Sequence, residues 1–405
     1  MNISKWVGAA AVCALVAWGL AMNPLAAATA IAAVSLLAFL YLYFIKFARP
    51  SEVAGLHEAT DNEWHTVKLG SSTKSSDRSD YAVYVRRGAS ENLVIHFSGG
   101  GACWDGITAS RPITLAGALR GYTRELKMFY FKSLTKLFPA ALGGIADQRD
   151  TQNAFRDWNF VFIPYSTGDL HVGDVTNTYT HNGKNIVVHH NGRQNSKAAL
   201  DWVYKNFPAA GKVMVSGESS GAWASAFYAP QVADHYAESK VYCLSDGVGI
   251  VSARWRELLD DIWKSDSANT LGFEIRTDVF EDSLIRRTDS VTRDIKYLHS
   301  NTLYDDTLTR FDAALNQKST ETDDFIDDWA ANTKASVKRI RDADIRYDYF
   351  LTTWGHNPKR HTTEHTLTTN EFYNKCTADG VSFSEWVKRN VIDDEDVSLG
   401  RSLLQ

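Results

Sequence analysis

The sequence predicts an α/β fold, with a mostly parallel central sheet flanked by helices. Three observations carry this expectation. Short apolar runs of strand length recur along residues 78–391. Most lack the alternation of a half-exposed strand, as expected where helices cover both faces of a parallel sheet. Helical stretches separate many of them, which is the pattern of strand, crossover and strand.

The runs are residues 81–85, 93–97, 160–163, 213–215, 241–244, 295–298 and 347–351. Between 195 and 207, Ala198, Ala199, Trp202 and Val203 repeat at helical spacing. The chain has 405 residues, a formal charge of -5 and 44% hydrophobic content, enough for one large domain or two modest ones. The charge is close to neutral and no Lys/Arg block stands out, so nucleic acid is excluded as a partner. The 12 Trp and 17 Tyr suit either a lined cleft or a large aromatic core. Cys13 lies in an apolar run, and Cys103, Cys243 and Cys376 can make one pair at most. No Cys-x-x-Cys spacing points to a structural zinc site.

Residues 1–49 read as a membrane-anchoring hydrophobic hairpin. Residues 6–22 are apolar and uncharged, Asn23-Pro24 makes a turn, and residues 25–45 are apolar again, near the ~20 needed to span a bilayer. Lys5 precedes the pair, and Lys46 and Arg49 follow it, which places both ends in the cytoplasm. Two rivals remain. The first run could be a signal peptide ending at Ala26-Ala27-Ala28, or the second helix alone could span with the following domain outside. Residues 50–77 read as a linker leading into the domain. Residues 78–391 form the α/β domain, and 392–405 an acidic, solvated tail around Asp393-Asp394-Glu395-Asp396. Stretches 119–137 and 255–287 read as insertions, either a lid over the strand ends or ordinary crossover helices.

Gly217-Glu218-Ser219-Ser220-Gly221 matches G-x-S-x-G. It follows the run 213–215 and precedes a helix-forming stretch, 222–228, of small and aromatic residues. Strand, sharp turn and helix are the setting of the nucleophile elbow of α/β-hydrolases. The strained turn lifts the serine hydroxyl off the sheet, and glycines two before and two after avoid collisions. The run 93–97 leads into Ser98-Gly99-Gly100-Gly101. Gly100 and Gly101, with the Ser220 N–H, are the expected oxyanion-hole donors. A phosphate loop is excluded because no Gly-Lys-Ser/Thr follows.

A serine nucleophile needs a base, and histidine suits that task near neutral pH. In this fold the order is Ser, then Asp or Glu, then His. The histidine should follow the last strand, which leaves His356, His361 and His365. The acid should follow a late strand, which leaves Asp305, Asp306 and Asp246. Asp169 and His171 form a D-x-H pair, read here as a hydrogen-bonded loop brace rather than a metal site.

Over residues 78–390 the chain resembles the pectin acetylesterase and Notum group of α/β-hydrolases. Val94-Ile95-His96-Phe97-Ser98-Gly99-Gly100-Gly101-Ala102-Cys103-Trp104 is similar to the family's oxyanion stretch. Asn153-Ala154-Phe155 and Pro164-Tyr165-Ser166-Thr167-Gly168-Asp169-Leu170-His171-Val172-Gly173 are similar to its N-P-F and P-Y-C-T-G-D-x-H-x-G signatures. His190 to Asn195 resembles the segment after these. The resemblance implies Ser219 as nucleophile, Asp305 (in Tyr304-Asp305) as acid and His365 (in His365-Thr366-Leu367) as base. It implies a structural role for Asp246-Gly247. The elbow departs from the family's x-Ser-Ala-Gly-Gly, reading Gly-Glu-Ser-Ser-Gly.

The expected activity is that of a membrane-anchored serine carboxylic-ester hydrolase with catalytic Ser219, Asp305 and His365, needing no cofactor or metal. Its expected partner is an acyl ester, either an acetylated saccharide or a lipid or protein acyl ester, with the membrane bound through residues 6–45. The alternatives are a thioesterase and an inactive hydrolase fold that binds at the membrane.

Overall fold

The computed structural model describes residues 24–40, 50–114, 128–134, 142–288, 294–318 and 322–405. Contacts divide the chain into two units, 1–49 and 50–405. In the first unit, helix α1 (Pro24–Leu40) has 17 residues and no charge. Leu25, Val34 and Leu37 are largely exposed on it. No helix among the described residues is long and apolar enough to cross a membrane. The expected hairpin is therefore unsupported by the described residues. Its first leg (6–22) and the end of its second (41–45) lie outside them.

The second unit is built on an eight-stranded sheet. Its strands are β1 (Trp64–Lys68), β2 (Ala82–Arg86), β3 (Leu93–Phe97), β4 (Asn159–Ile163), β7 (Lys212–Glu218), β8 (Lys240–Asp246), β9 (Ile295–Thr302) and β10 (Tyr347–Thr352), in the order β1-β2-β4-β3-β7-β8-β9-β10. Only β1 and β2 run antiparallel to their neighbours; β4 through β10 are parallel. All seven runs expected as strands lie in this sheet.

The missing alternation has a direct cause. Val83, Val85, Leu93, Ile95, Val213 and Val215 point into one buried cluster. Tyr84, Val94, Phe160, Phe162, Met214 and Tyr242 point into another on the opposite face. Successive side chains leave opposite faces of a strand, and here both faces are core. Helices α2 (Gly192–Asn206) and α3 (Ser220–His235), both foreseen in part, contribute to the first cluster.

Three regions differ from expectation. The presumed linker 50–77 contributes β1, paired with β2. A separate hairpin, β5 (Val175–His181) and β6 (Lys184–His190), turns at Asn182-Gly183 with both residues at positive φ. The acidic tail is not a free, solvated end. Leu399 exchanges backbone bonds with Tyr349 and Leu351, Asp396 meets the buried Lys296 ammonium at 2.9 Å, and Leu404 is buried. Asp394 bonds Tyr242 Oη at 2.9 Å. Burial of flanking apolar residues and pairing with buried lysine hold the carboxylates in place.

Candidate active site

Sheet order places the site. From β3 the chain goes to β4 on one side and β7 lies on the other, so a crevice opens at the carboxyl ends of β3 and β7, where ligands of open α/β sheets bind. Phe97 pairs with Gly217 in register. That pairing brings Ser98–Gly101 beside Glu218-Ser219.

Ser219 sits at φ 55° and ψ -127°, between β7 and α3. This is strained backbone for a non-glycine residue, costing on the order of 1–3 kcal/mol. The flanking glycines are required: a Cβ on Gly217 would strike the Gly221 carbonyl, and one on Gly221 the Phe97 carbonyl. The Ser219 N–H is anchored to the Asp246 carbonyl at 2.8 Å. Ser220 opens α3, so its N–H lies outside the helical ladder.

The glycine-rich loop is braced from below. His171 Nε2 donates to the Ser98 carbonyl at 3.0 Å, and Ser98 Oγ accepts from the Tyr165 N–H at 2.8 Å. Burial lowers His171 to about 4, so the ring is neutral. Asp169 accepts from Thr167 Oγ1 at 2.6 Å and the Gly192 N–H at 2.8 Å; burial lifts it to about 7. Among the described residues no group of three possible ligands could hold a metal ion. Gly101 adopts φ 79°, where a Cβ would strike the Phe129 carbonyl. Among the described residues, the Gly100 and Gly101 N–H groups make no backbone hydrogen bond and line the same cavity as Ser219.

His365 and Asp305 approach from loops after β10 and β9. His365 Nδ1 donates to Asp305 Oδ2 at 2.7 Å. Asp305 is fully buried, and its Oδ1 accepts from the Thr307 and Leu308 N–H groups at 2.9 and 2.8 Å, capping helix α5 (Asp306–Leu315). The other His365 nitrogen, Nε2, has no protein partner among the described residues. Burial alone lowers the His365 pKa, but Asp305, Asp246 and Glu218 together outweigh it and hold the pKa above 6.5. The other two histidines go elsewhere. His356 and His361 contact each other, and His361 meets Asp327 at 2.9 Å. Asp306 lines the cavity but makes no bond to His365.

Asp246 is the residue whose contribution was least visible in the sequence. Its carboxylate accepts from the Leu367 N–H at 2.6 Å, the Thr368 N–H at 2.9 Å and the Ser300 hydroxyl at 2.6 Å. Its carbonyl holds Ser219. One residue thus ties the elbow to the His365 loop.

Two spaces meet at Ser219. A wide cavity of about 490 Å³ is lined by Gly99, Gly100, Glu218, Arg310, His365 and Asn370. A tight recess of about 30 Å³ is lined by Trp104, Trp223, Trp255, Trp263 and Phe311 together with Gly101, Ser219 and Ser220. Stretch 255–287 therefore supplies part of the recess wall. It holds a helical segment (Glu257–Ile262) and helix α4 (Val279–Ile285), and Trp263 Nε1 donates to the Cys103 carbonyl at 2.8 Å. Most of 119–137 lies outside the described residues; Met128 and Phe129 line the wide cavity. Cys103, Cys243 and Cys376 are free and buried.

A mostly parallel sheet flanked by helices thus carries the strained serine, the glycine-rich loop and the histidine–carboxylate pair at the ends of its strands. The family model described as Pectinacetylesterase matches residues 67–253 of the chain. That match supports a carboxylesterase-type hydrolase. Among solved structures the chain is similar to the Wnt deacylase Notum from Drosophila. The TM-score is 0.55 at 14% identity, covering 82% of this chain and 95% of that one. The resemblance expected from the motifs is shown on both counts. No curated protein matches the chain.

Proposed function

We propose that the chain is a serine carboxylic-ester hydrolase of the deacylase or acetylesterase kind, with Ser219 as nucleophile, His365 as base and Asp305 as orienting acid. The single observation that carries this reading is the His365 ring. One nitrogen is bound to a buried carboxylate, the other is unengaged, and the ring lines one cavity with Ser219. His365 Nε2 takes the Ser219 proton as Oγ attacks the ester carbonyl, and the N–H groups of Gly100, Gly101 and Ser220 receive the oxyanion. The imidazolium returns its proton to the leaving alcohol. Water, deprotonated by the same nitrogen, then cleaves the acyl-enzyme to the free acid.

The two spaces divide the substrate. The recess beside the oxyanion donors takes the acyl group, and the wide polar cavity takes the alcohol. The space open to the centre of a water-sized sphere is near 30 Å³, room for two or three such spheres at ~10–15 Å³ each, which suits a short acyl chain. An acetylated saccharide fits this division better than a lipid ester. Pectinacetylesterases are named for removing acetyl groups from pectin, and the structurally similar Notum is a Wnt deacylase.

The test is the purified chain with p-nitrophenyl esters of rising chain length and a fluorophosphonate probe. Acetate should turn over fastest, and the probe should label Ser219. A folded protein that neither turns over any ester nor takes the label sinks the reading. The apolar residues 6–45 further support membrane attachment, and the flanking Lys5, Lys46 and Arg49 favour both ends on the cytoplasmic side. Carbonate extraction and protease protection test this, and release of the full chain by carbonate overturns it.

A further inference from the structure

We propose that Glu218 is a positioning residue of this reaction: a second carboxylate in the cavity wall that faces His365 and stabilises its protonated ring while Ser219 reacts. The proposal rests on the serine hydrolase reading above and adds a residue which that reading leaves unused.

Glu218 closes β7 one residue before the nucleophile, opposite Asp246 of β8. Any side chain suits this point of the elbow, so a carboxyl here is not required by the turn. Thr369, four residues beyond His365, holds it: both Glu218 oxygens lie 2.7 Å from Thr369 Oγ1. Thr369 donates to it from both its hydroxyl and its N–H, and the carboxylate keeps acceptor capacity towards the cavity that it lines with Ser219 and His365. The side chain keeps 16% of its surface exposed, so it is a wall group rather than a core group.

The titratable groups around it come from three elements. From β3, His96 Nε2 stands 4.0 Å away, and burial lowers that ring to about 3, so it brings no charge. From β8 comes Asp246, and from the loop after β10 comes His365. Asp306, Arg310 and Glu364 also line the cavity. Burial lifts Glu218 to about 7, with Asp246 adding to the rise and Thr369 and His365 opposing it. The coupling is mutual, since Glu218 is among the carboxylates that raise His365. The two groups are coupled, and ionised Glu218 favours the imidazolium. A group acting only on a charge that appears in the transition state lowers the barrier without tightening substrate binding, so it moves kcat and not KM.

The experiment is Glu218→Gln in the full chain, followed by kcat and KM for p-nitrophenyl acetate from pH 5 to 9. Glutamine keeps the shape and an acceptor for Thr369 while removing the charge. We expect kcat near pH 8 to fall about tenfold with KM unchanged, one pKa unit being a tenfold change. The acid limb of kcat/KM should move to lower pH, because His365 loses a carboxylate that favours its charged form. Thr369→Val, which removes a hydrogen bond that favours the ionised carboxylate, should move the acid limb the same way by a smaller amount. Should Glu218→Gln not fold, Glu218→Asp serves: it should retain the wild-type limb, and a limb displaced to lower pH overturns the proposal. A folded Glu218→Gln protein with the wild-type limb and kcat also overturns it. Failure of the underlying reading looks different: wild-type protein would then take no fluorophosphonate label at Ser219.

Discussion

The two halves of the site are held by different physics. The half carrying Ser219 and the glycine loop is a matter of backbone and volume. Its pieces are close in strand register, Phe97 beside Gly217, and glycines stand where any Cβ would strike a carbonyl. The half carrying His365 and Asp305 is a matter of charge and hydrogen bonding across long stretches of chain. Asp305 reaches His365 sixty residues on, and Asp246 reaches Leu367 across 121 residues. A methyl group should break the first half, and an amide in place of a carboxylate the second.

The largest expected effect joins both halves. Ser219→Ala removes the proposed nucleophile and should cut kcat on the order of 10⁴- to 10⁶-fold, as for other serine hydrolases, while leaving thermal unfolding nearly unchanged. Steady-state kinetics beside calorimetry checks it. Retained turnover would mean that neither half is catalytic.

Next comes Asp305→Asn, the charge test of the second half. The amide keeps an oxygen to cap α5 through the Thr307 and Leu308 N–H groups, so stability should hold. Its other atom can present an N–H to His365 Nδ1, which favours the wrong tautomer. A loss of about 10⁴-fold in kcat follows from the same change in a serine protease triad. A mild loss would show that His365 does not depend on this carboxylate.

The contrast also explains what could be read from the chain. The elbow and glycine loop are contiguous motifs flanked by strands, so Ser219, Gly100 and Gly101 were legible as residues. Asp305 and His365 were legible only as sets of candidates, because spacing cannot say which loop carboxylate folds onto which ring. The resemblance narrowed both sets, and the structure joins His365 to Asp305 at 2.7 Å. Asp246 was legible as structural but not as the tie between halves, since its partners come from β9 and the loop after β10. The β5–β6 hairpin was missed although its signal was present: Asn182-Gly183 is the favoured two-residue turn between strands. Its polar Thr-rich β5, exposed at every second position, hid it from a search for apolar runs. The docked tail escaped for the opposite reason. A run of acids reads as solvated unless the buried Lys296 that receives it is known.

Gly101→Ala is the volume test of the first half. The residue sits at φ 79°, and its new methyl would meet the Phe129 carbonyl. Overpacking of this kind costs ~1–3 kcal/mol, and on the proposed reading a displaced oxyanion donor costs about 10²–10³ in kcat. Unlike Asp305→Asn, this variant should lower the unfolding temperature and the rate together. Equal stability with reduced rate would place the glycine's role in chemistry alone.

The smallest expected effect is in the pH dependence of the wild type, and it reports on the charges around His365. As the proposed base, His365 works only when neutral, so kcat/KM should fall as pH drops through its pKa. Burial opposes the charged ring, yet Asp305, Asp246 and Glu218 together raise the pKa above 6.5. The acid limb should therefore lie on the alkaline side of 6.5. Asp246→Asn removes one of these carboxylates while keeping an oxygen for the Leu367 and Thr368 N–H groups. The limb should then move towards acid pH by a fraction of a unit, with kcat at pH 8.5 changed by roughly tenfold or less. Gly101→Ala, which touches no charge, should leave the limb where it was. A limb that shifts with the glycine and not with the aspartate would reverse the division between the halves.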